Sequence, residues 1–177
     1  MDLATEFLAM SRGYLATEYP TKLRAAVQAL PADALWWRAN DQSNSVGNLL
    51  LHLDGNVRQW IVRGVGSESV SAPSERDRAG EFAARSGPSA AELLARLDAT
   101  LREADAVLAA LAPQALGARR VIQGEEVTVL EAIYHVVEHF SLHLGQIIWM
   151  AKLHAPGAIR FYEDVGGTAR PLWPELR

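Results

Sequence analysis

The chain has 177 residues, of which 49% are hydrophobic and 21% charged, and a formal net charge of −4. That composition supplies the core of one domain over residues 1–177, excludes wholesale disorder and, with no basic block, argues against a nucleic-acid-binding surface. Cysteine is absent, which excludes disulfides, thiolate zinc sites, iron–sulfur clusters and cysteine nucleophiles.

A first helix is predicted over residues 3–30, where Leu3, Phe7, Leu8, Leu15, Leu23, Val27 and Leu30 recur near helical spacing. Tyr19-Pro20 is expected to kink or interrupt it, because a residue before proline resists the helical region. The early acidic residues Asp2 and Glu6 do not suit a signal peptide, and no apolar run reaches the roughly 18 residues of a membrane span. A cytoplasmic protein without a membrane partner is therefore expected. After a connection holding Trp36-Trp37, a second helix is predicted from about Val46 to Arg63, capped by Ser43, Asn44 or Ser45 and stopped by Gly64-Val65-Gly66. Residues 64–88, rich in Gly, Ser, Pro and charge, read as a long surface loop with a short helical turn near Arg78–Ala84. Ser89 and Glu92 form a capping box at the start of a third helix over residues 89–111. A short hairpin is predicted around Gln123-Gly124, and a second capping box, Thr128 with Glu131, opens a fourth helix from about Val129 to His154. Residues 155–177 read as an irregular tail, with Phe161, Tyr162, Leu172 and Trp173 available to fold back. The expected fold is all-α: a four-helix bundle with a small β-hairpin before the last helix.

Histidine is the residue type that carries chemistry. His135, His139 and His143 are spaced four apart in the fourth helix, and His52 lies mid-way along the second. Side chains four apart share a helix face, so two imidazoles can converge on one cation, and a third ligand from elsewhere would leave positions open. Taking about 100° per residue, His139 and His143 flank the stripe of Ile133, Val137, Phe140 and Leu144, and His52 flanks that of Leu49, Leu53 and Val57. Spacing alone leaves the pair open: His135 with His139 serves as well as His139 with His143.

The segment His139-Phe-Ser-Leu-His143-Leu-Gly-Gln146-Ile147 resembles the H-x-x-x-H-x-G-Q-[IL] signature of the DinB/YfiT-like superfamily. Residues 45–60, with His52-Leu-x-x-Asn56, are similar to the second helix of that family. The resemblance implies an up-down-down-up four-helix bundle, commonly a homodimer, holding a divalent metal on His52, His139 and His143. His135 becomes a neighbour of the site with Asn56 and Trp60, lining the pocket or orienting ligands. The position between His143 and Gly145 is often basic in relatives and is Leu144 here, so no anion contact is expected from it. The wording is closest to a branch without an assigned reaction.

Three neutral imidazoles would leave a cation its full charge and at least one open position, which activates water or a thiol. Zinc or nickel is the expected ion, with iron as an alternative. Relatives include thiol-dependent S-transferases and isomerases, so the resemblance implies a metal-dependent transferase or hydrolase acting on a small electrophile, with a low-molecular-weight thiol as partner. The alternative is a non-catalytic, stress-associated metal-binding or structural dimer protein, in which His135 swings in as a fourth ligand. No catalytic base is identified. Glu131, Glu138, Asp54 and Asn56 are the candidates to orient the ligands, although Glu138 and Asp54 read as a solvated helix face. Gln146 reads as structural. Trp60 reads as core bordering the pocket. Trp149, Leu142 and Leu153 lie away from the main stripe, where a second copy or the tail would cover them.

Overall fold

In the computed structural model, residues 2–66 and 76–176 are described. The first helix runs on through Tyr19-Pro20 as α1 (Leu3–Gly13), a π-helical turn (Tyr14–Glu18) and α2 (Tyr19–Gln28). The expected interruption is absorbed by that turn. The Tyr19 N–H reaches back five residues to the Tyr14 carbonyl, and Pro20, which has no N–H to place, sits at the start of α2.

Helix α3 (Val46–Val57) continues into a second π-helical segment (Arg58–Val65). Among the three candidate caps the structure selects Ser45, whose hydroxyl accepts from the Asn48 N–H while Asn48 Oδ1 accepts from the Ser45 N–H. Asn48 does a second task. Its amide NH2 donates to the carbonyls of Glu81 and Ala84, at 2.8 and 2.9 Å. This ties the short helix α4 (Arg78–Ala83) against α3. The predicted helical turn is therefore present, while residues 67–75 of the expected loop lie outside the described residues.

Helices α5 (Ala90–Ala110) and α6 (Val129–His154) begin at the predicted capping boxes, Ser89 with Glu92 and Thr128 with Glu131. Between them β1 (Arg119–Ile122) and β2 (Glu125–Thr128) pair antiparallel around Gln123 and Gly124, both at positive φ. Such a two-residue turn matches the twist of a hairpin. Ile122 is buried against Gly64, where an added Cβ would meet its Cδ1 at 2.5 Å.

The four long helical runs form a bundle in which α2 lies along α6, α3 along α5, and α3 also against α6. Leu23, Leu53, Ile61, Leu97, Phe140 and Ile147 are fully buried in its core. Ion pairs Arg12–Asp105 and Arg24–Asp98 join the first helical run to α5. No helix among the described residues is long and apolar enough to cross a membrane.

The tail differs from the expected irregular chain. β3 (Tyr162–Val165) and β4 (Thr168–Pro171) form a second hairpin, turned at Gly166-Gly167, both with positive φ. Phe161 is buried, and the tail docks on α2 through Lys22, whose ammonium reaches the Tyr162 hydroxyl at 3.1 Å and lies 5.0 Å from the Trp173 ring centre. It leaves Trp149 60% exposed.

Candidate metal centre

The contact between α3 and α6 brings together residues 52 and 139, which sequence order separates widely. His52 is 3% exposed, and His139 and His143 are half-buried. One ligand-capable atom from each of the three lies within 4.8 Å of the others. The ring centres are 5.0 Å apart for His52 and His139, 5.1 Å for His52 and His143, and 4.4 Å for His139 and His143. Nε2 of His52 and Nε2 of His139 approach to 2.8 Å.

The partners of these rings fix where their protons sit. His52 Nδ1 is 3.0 Å from Glu81 Oε2. Arg76 Nη2 also lies 3.0 Å from that nitrogen, but a guanidinium only donates. A bare Nδ1 lone pair would face an ionised carboxylate, and Arg76 Nη2 already has Glu81 Oε2 and the His52 carbonyl as acceptors, at 2.8 and 3.3 Å. We therefore assign an Nδ1–H that donates to Glu81. His143 Nδ1–H likewise donates to Gln146 Oε1 at 2.8 Å. Two of the three imidazoles thus keep Nε2 as their basic nitrogen, and a single N–H joins His139 Nε2 to that of His52.

Glu81 is held by Arg76 Nε at 2.7 Å in addition to the Nη2 bond, and both side chains are nearly buried, at 7% and 10% exposure. Burial alone would raise the Glu81 carboxyl, but the Arg76 bonds and the His52 contact outweigh it, and it lies below the usual carboxylate range. Burial also pushes the His139 imidazole down to about 3, helped by the neighbouring His143, His52 and His135 rings and by Arg76. His143 is lowered by burial, against the opposing bond to Gln146. His139 and His143 are therefore neutral at neutral pH, the form in which a histidine binds metal. Carboxylate–histidine support behind a cluster of inward-facing nitrogens fits a divalent cation. Three such histidines could hold a metal ion.

Several expectations are corrected here. The carboxylate behind His52 is Glu81, from the segment read as a surface loop. Asp54, read as solvated, is 2% exposed: Thr100 Oγ1 and Arg96 Nε donate to it at 2.5 and 2.6 Å, joining α3 to α5. Glu138 is exposed, and Glu131 is occupied as the α6 cap. Gln146 is not merely structural, since it serves His143. His135 is not one of the three but borders them. Its ring stacks 5.2 Å from that of His139, its Nε2 meets Asn56 Nδ2 at 3.3 Å, and Trp60 packs 4.3 Å away. Asn56 and Trp60 are buried and border the cluster through His135.

The profile of one protein family, the DinB superfamily, matches residues 16–147. The chain belongs to the DinB superfamily. Its matched region takes in all three histidines of the cluster and ends one residue beyond Gln146. No curated protein matches the chain.

Proposed function

We propose that His52, His139 and His143 bind one divalent cation, zinc or nickel, and that the chain uses its open side as a metal-dependent enzyme. The observation that carries this is the placing of acceptors behind two rings: Glu81 Oε2 and Gln146 Oε1 lie 3.0 and 2.8 Å from the Nδ1 atoms of His52 and His143, which leaves their Nε2 atoms for a shared ion. When bound, a cation on neutral imidazoles supplies Lewis acidity that lowers the pKa of water or a thiol at an open position. In this reading, His135 is held by Asn56 and does not close the site as a fourth ligand.

The reaction class we favour is S-transfer from a low-molecular-weight thiol to a small electrophile, with hydrolysis as the simpler form. The thiol loses its proton to solvent, a carbon–sulfur bond forms, and the leaving group departs with its electron pair. The half-buried faces of His139 and His143 give small molecules access. We also propose a homodimer, in which a second copy covers the exposed Leu130, Tyr134 and Leu142 on the N-terminal half of α6.

The test is metal analysis of protein purified without immobilised nickel, together with His52→Ala and His143→Ala variants. One ion per chain, lost in both variants, is the expected result. Metal content unchanged by the two substitutions would overturn the ligand assignment. Metal-loaded protein that turns over nothing across a panel of thiols and electrophiles would remove the enzymatic half.

A further inference from the structure

A cavity of about 380 Å³ opens at Gln146, the partner of His143, walled by Trp37, Trp149, Met150 and Leu49, with Gln42, Ser43, Asn44 and Gln146 supplying polar groups. None of the described residues that line it carries a charge. We propose that it seats a neutral, flat aromatic molecule bearing a hydrogen-bond acceptor, the body of the substrate whose reactive end reaches the histidine cluster past Gln146. The identity of that end rests on the function proposed above; the seat itself does not.

Three features carry the proposal. The first is the wall chemistry. Two indoles and a thioether favour a planar π-system over an aliphatic chain, and Trp149 leaves 60% of its surface to be covered. A cavity of this size falls within the usual range for small-molecule sites. The second is the lack of counter-charge. An anionic ligand would lose water without gaining a cation among the lining side chains, since Arg38 is turned onto the Ser43 and Asp41 carbonyls, a cost that a neutral amide or carbonyl avoids. A second cavity, about 420 Å³, differs in character: Arg58, Arg63, Arg76 and Arg96 line it, on the Glu81 side of His52.

The third feature is that the seat is built in advance and connected. Trp37 is set edge-on against the His154 ring, with centres 4.5 Å apart at 74°. Residues 38–44 are tied by Arg38 Nε donating to the Ser43 carbonyl, and by Asn40 Oδ1 accepting from the Gln42 N–H and the Ser43 hydroxyl at 3.0 and 2.9 Å. Gln146 links this seat to the cluster. Its Oε1 accepts from His143 Nδ1–H, so its NH2 is the end left to donate into the cavity.

The experiment titrates the full-length chain with 2-naphthamide and with its near-isosteric anion 2-naphthoate, read by calorimetry and by the indole and side-chain amide resonances in ¹⁵N NMR. The amide is expected to bind saturably and to shift the signals of Trp37, Trp149 and Gln146, with the carboxylate at least about tenfold weaker. Trp149→Ala, an exposed site outside the core, should weaken the amide about tenfold and leave metal content unchanged. His143→Ala should lose metal yet still bind the amide, so failure of the seat and failure of the metal reading are told apart. Absence of saturable amide binding in the millimolar range, equal binding of the two probes, or wild-type affinity in Trp149→Ala would each overturn the proposal.

Discussion

Replacing Glu81 by Gln tests the support behind His52. The carboxylate accepts two bonds from Arg76 and one from His52 Nδ1, and both members of the ion pair are almost fully buried. Gln keeps the size but takes a carboxylate's charge away from the buried Arg76 guanidinium, a loss on the order of 3–5 kcal/mol. For a chain of this length that lowers Tm by about 6–20 °C. Loss of the ring's orienting partner should weaken metal binding about 10–100-fold. Arg76→Met is the informative counterpart. It leaves the metal-free protein with a buried, uncompensated carboxylate, so it too melts earlier. An arriving cation then offsets that charge, so the metal-induced rise in Tm grows, whereas in Glu81→Gln it shrinks. Thermal melts with and without Zn²⁺, and competition against a chromophoric chelator, measure both. Equal weakening of metal binding in the two variants would show that the pair acts only as mechanical support, and unchanged affinity in Glu81→Gln would refute any coupling to His52.

Gly55→Ala probes the same support sterically. The added methyl would meet Glu81 Oε1 and lie 2.6 Å from Arg76 Nε, so metal affinity should fall at least about tenfold in chelator competition. Stability should fall by about 1–3 kcal/mol, the cost of shifting the buried pair less the helical gain of alanine. His135→Ala should retain one ion per chain by elemental analysis while costing about 1–2 kcal/mol through its contacts with Asn56 and Trp60. Lys22 gives a pH prediction. Burial lowers its pKa, but the bonds to Glu18 and the Tyr162 hydroxyl outweigh it, and the net value lies above 10.5. Its contribution is therefore complete below pH 10.5 and lost as pH rises through the raised value. Lys22→Met should flatten that alkaline limb of the unfolding free energy, and an unchanged slope would count against the tail-docking role.

Local signals made the helices legible. The boxes Ser89-x-x-Glu92 and Thr128-x-x-Glu131 satisfy orphan N–H groups within four residues, so no distant contact is needed to place those helix starts. The tail hairpin was not legible. Its strands, Tyr-Glu-Asp-Val and Thr-Ala-Arg-Pro, lack a clear apolar alternation, and only Gly166-Gly167 signals the turn. Its anchor is Lys22, which is more than a hundred residues away in the chain. Tyr19-Pro20 does mark a break in the regular α-helix, a π-helical turn over Tyr14–Glu18, and burial of Pro20 against the bundle carries the helical run through it.

The site divides along the same line. The four-residue spacing put His139 and His143 on one face and helix phase put His52 on the edge of its own stripe, but the choice over His135 came from family resemblance, and helix phase does not set which helices touch. Glu81 escaped detection because its surroundings are those of a solvated loop. What brings it inward is the Asn48 amide, which binds two carbonyls of the α4 segment, and Gly55, whose missing side chain leaves room for the carboxylate. Asp54 departs from expectation for the converse reason: carboxylates are usually exposed, but Thr100 and Arg96 on the neighbouring helix donate to it. The arrangement has an electrostatic consequence. Arg76 neutralises Glu81, so the carboxylate orients His52 without lending its charge to the cluster. A cation held by these imidazoles would therefore keep nearly its full positive charge, which favours an anion such as thiolate or hydroxide at the open side over a neutral ligand.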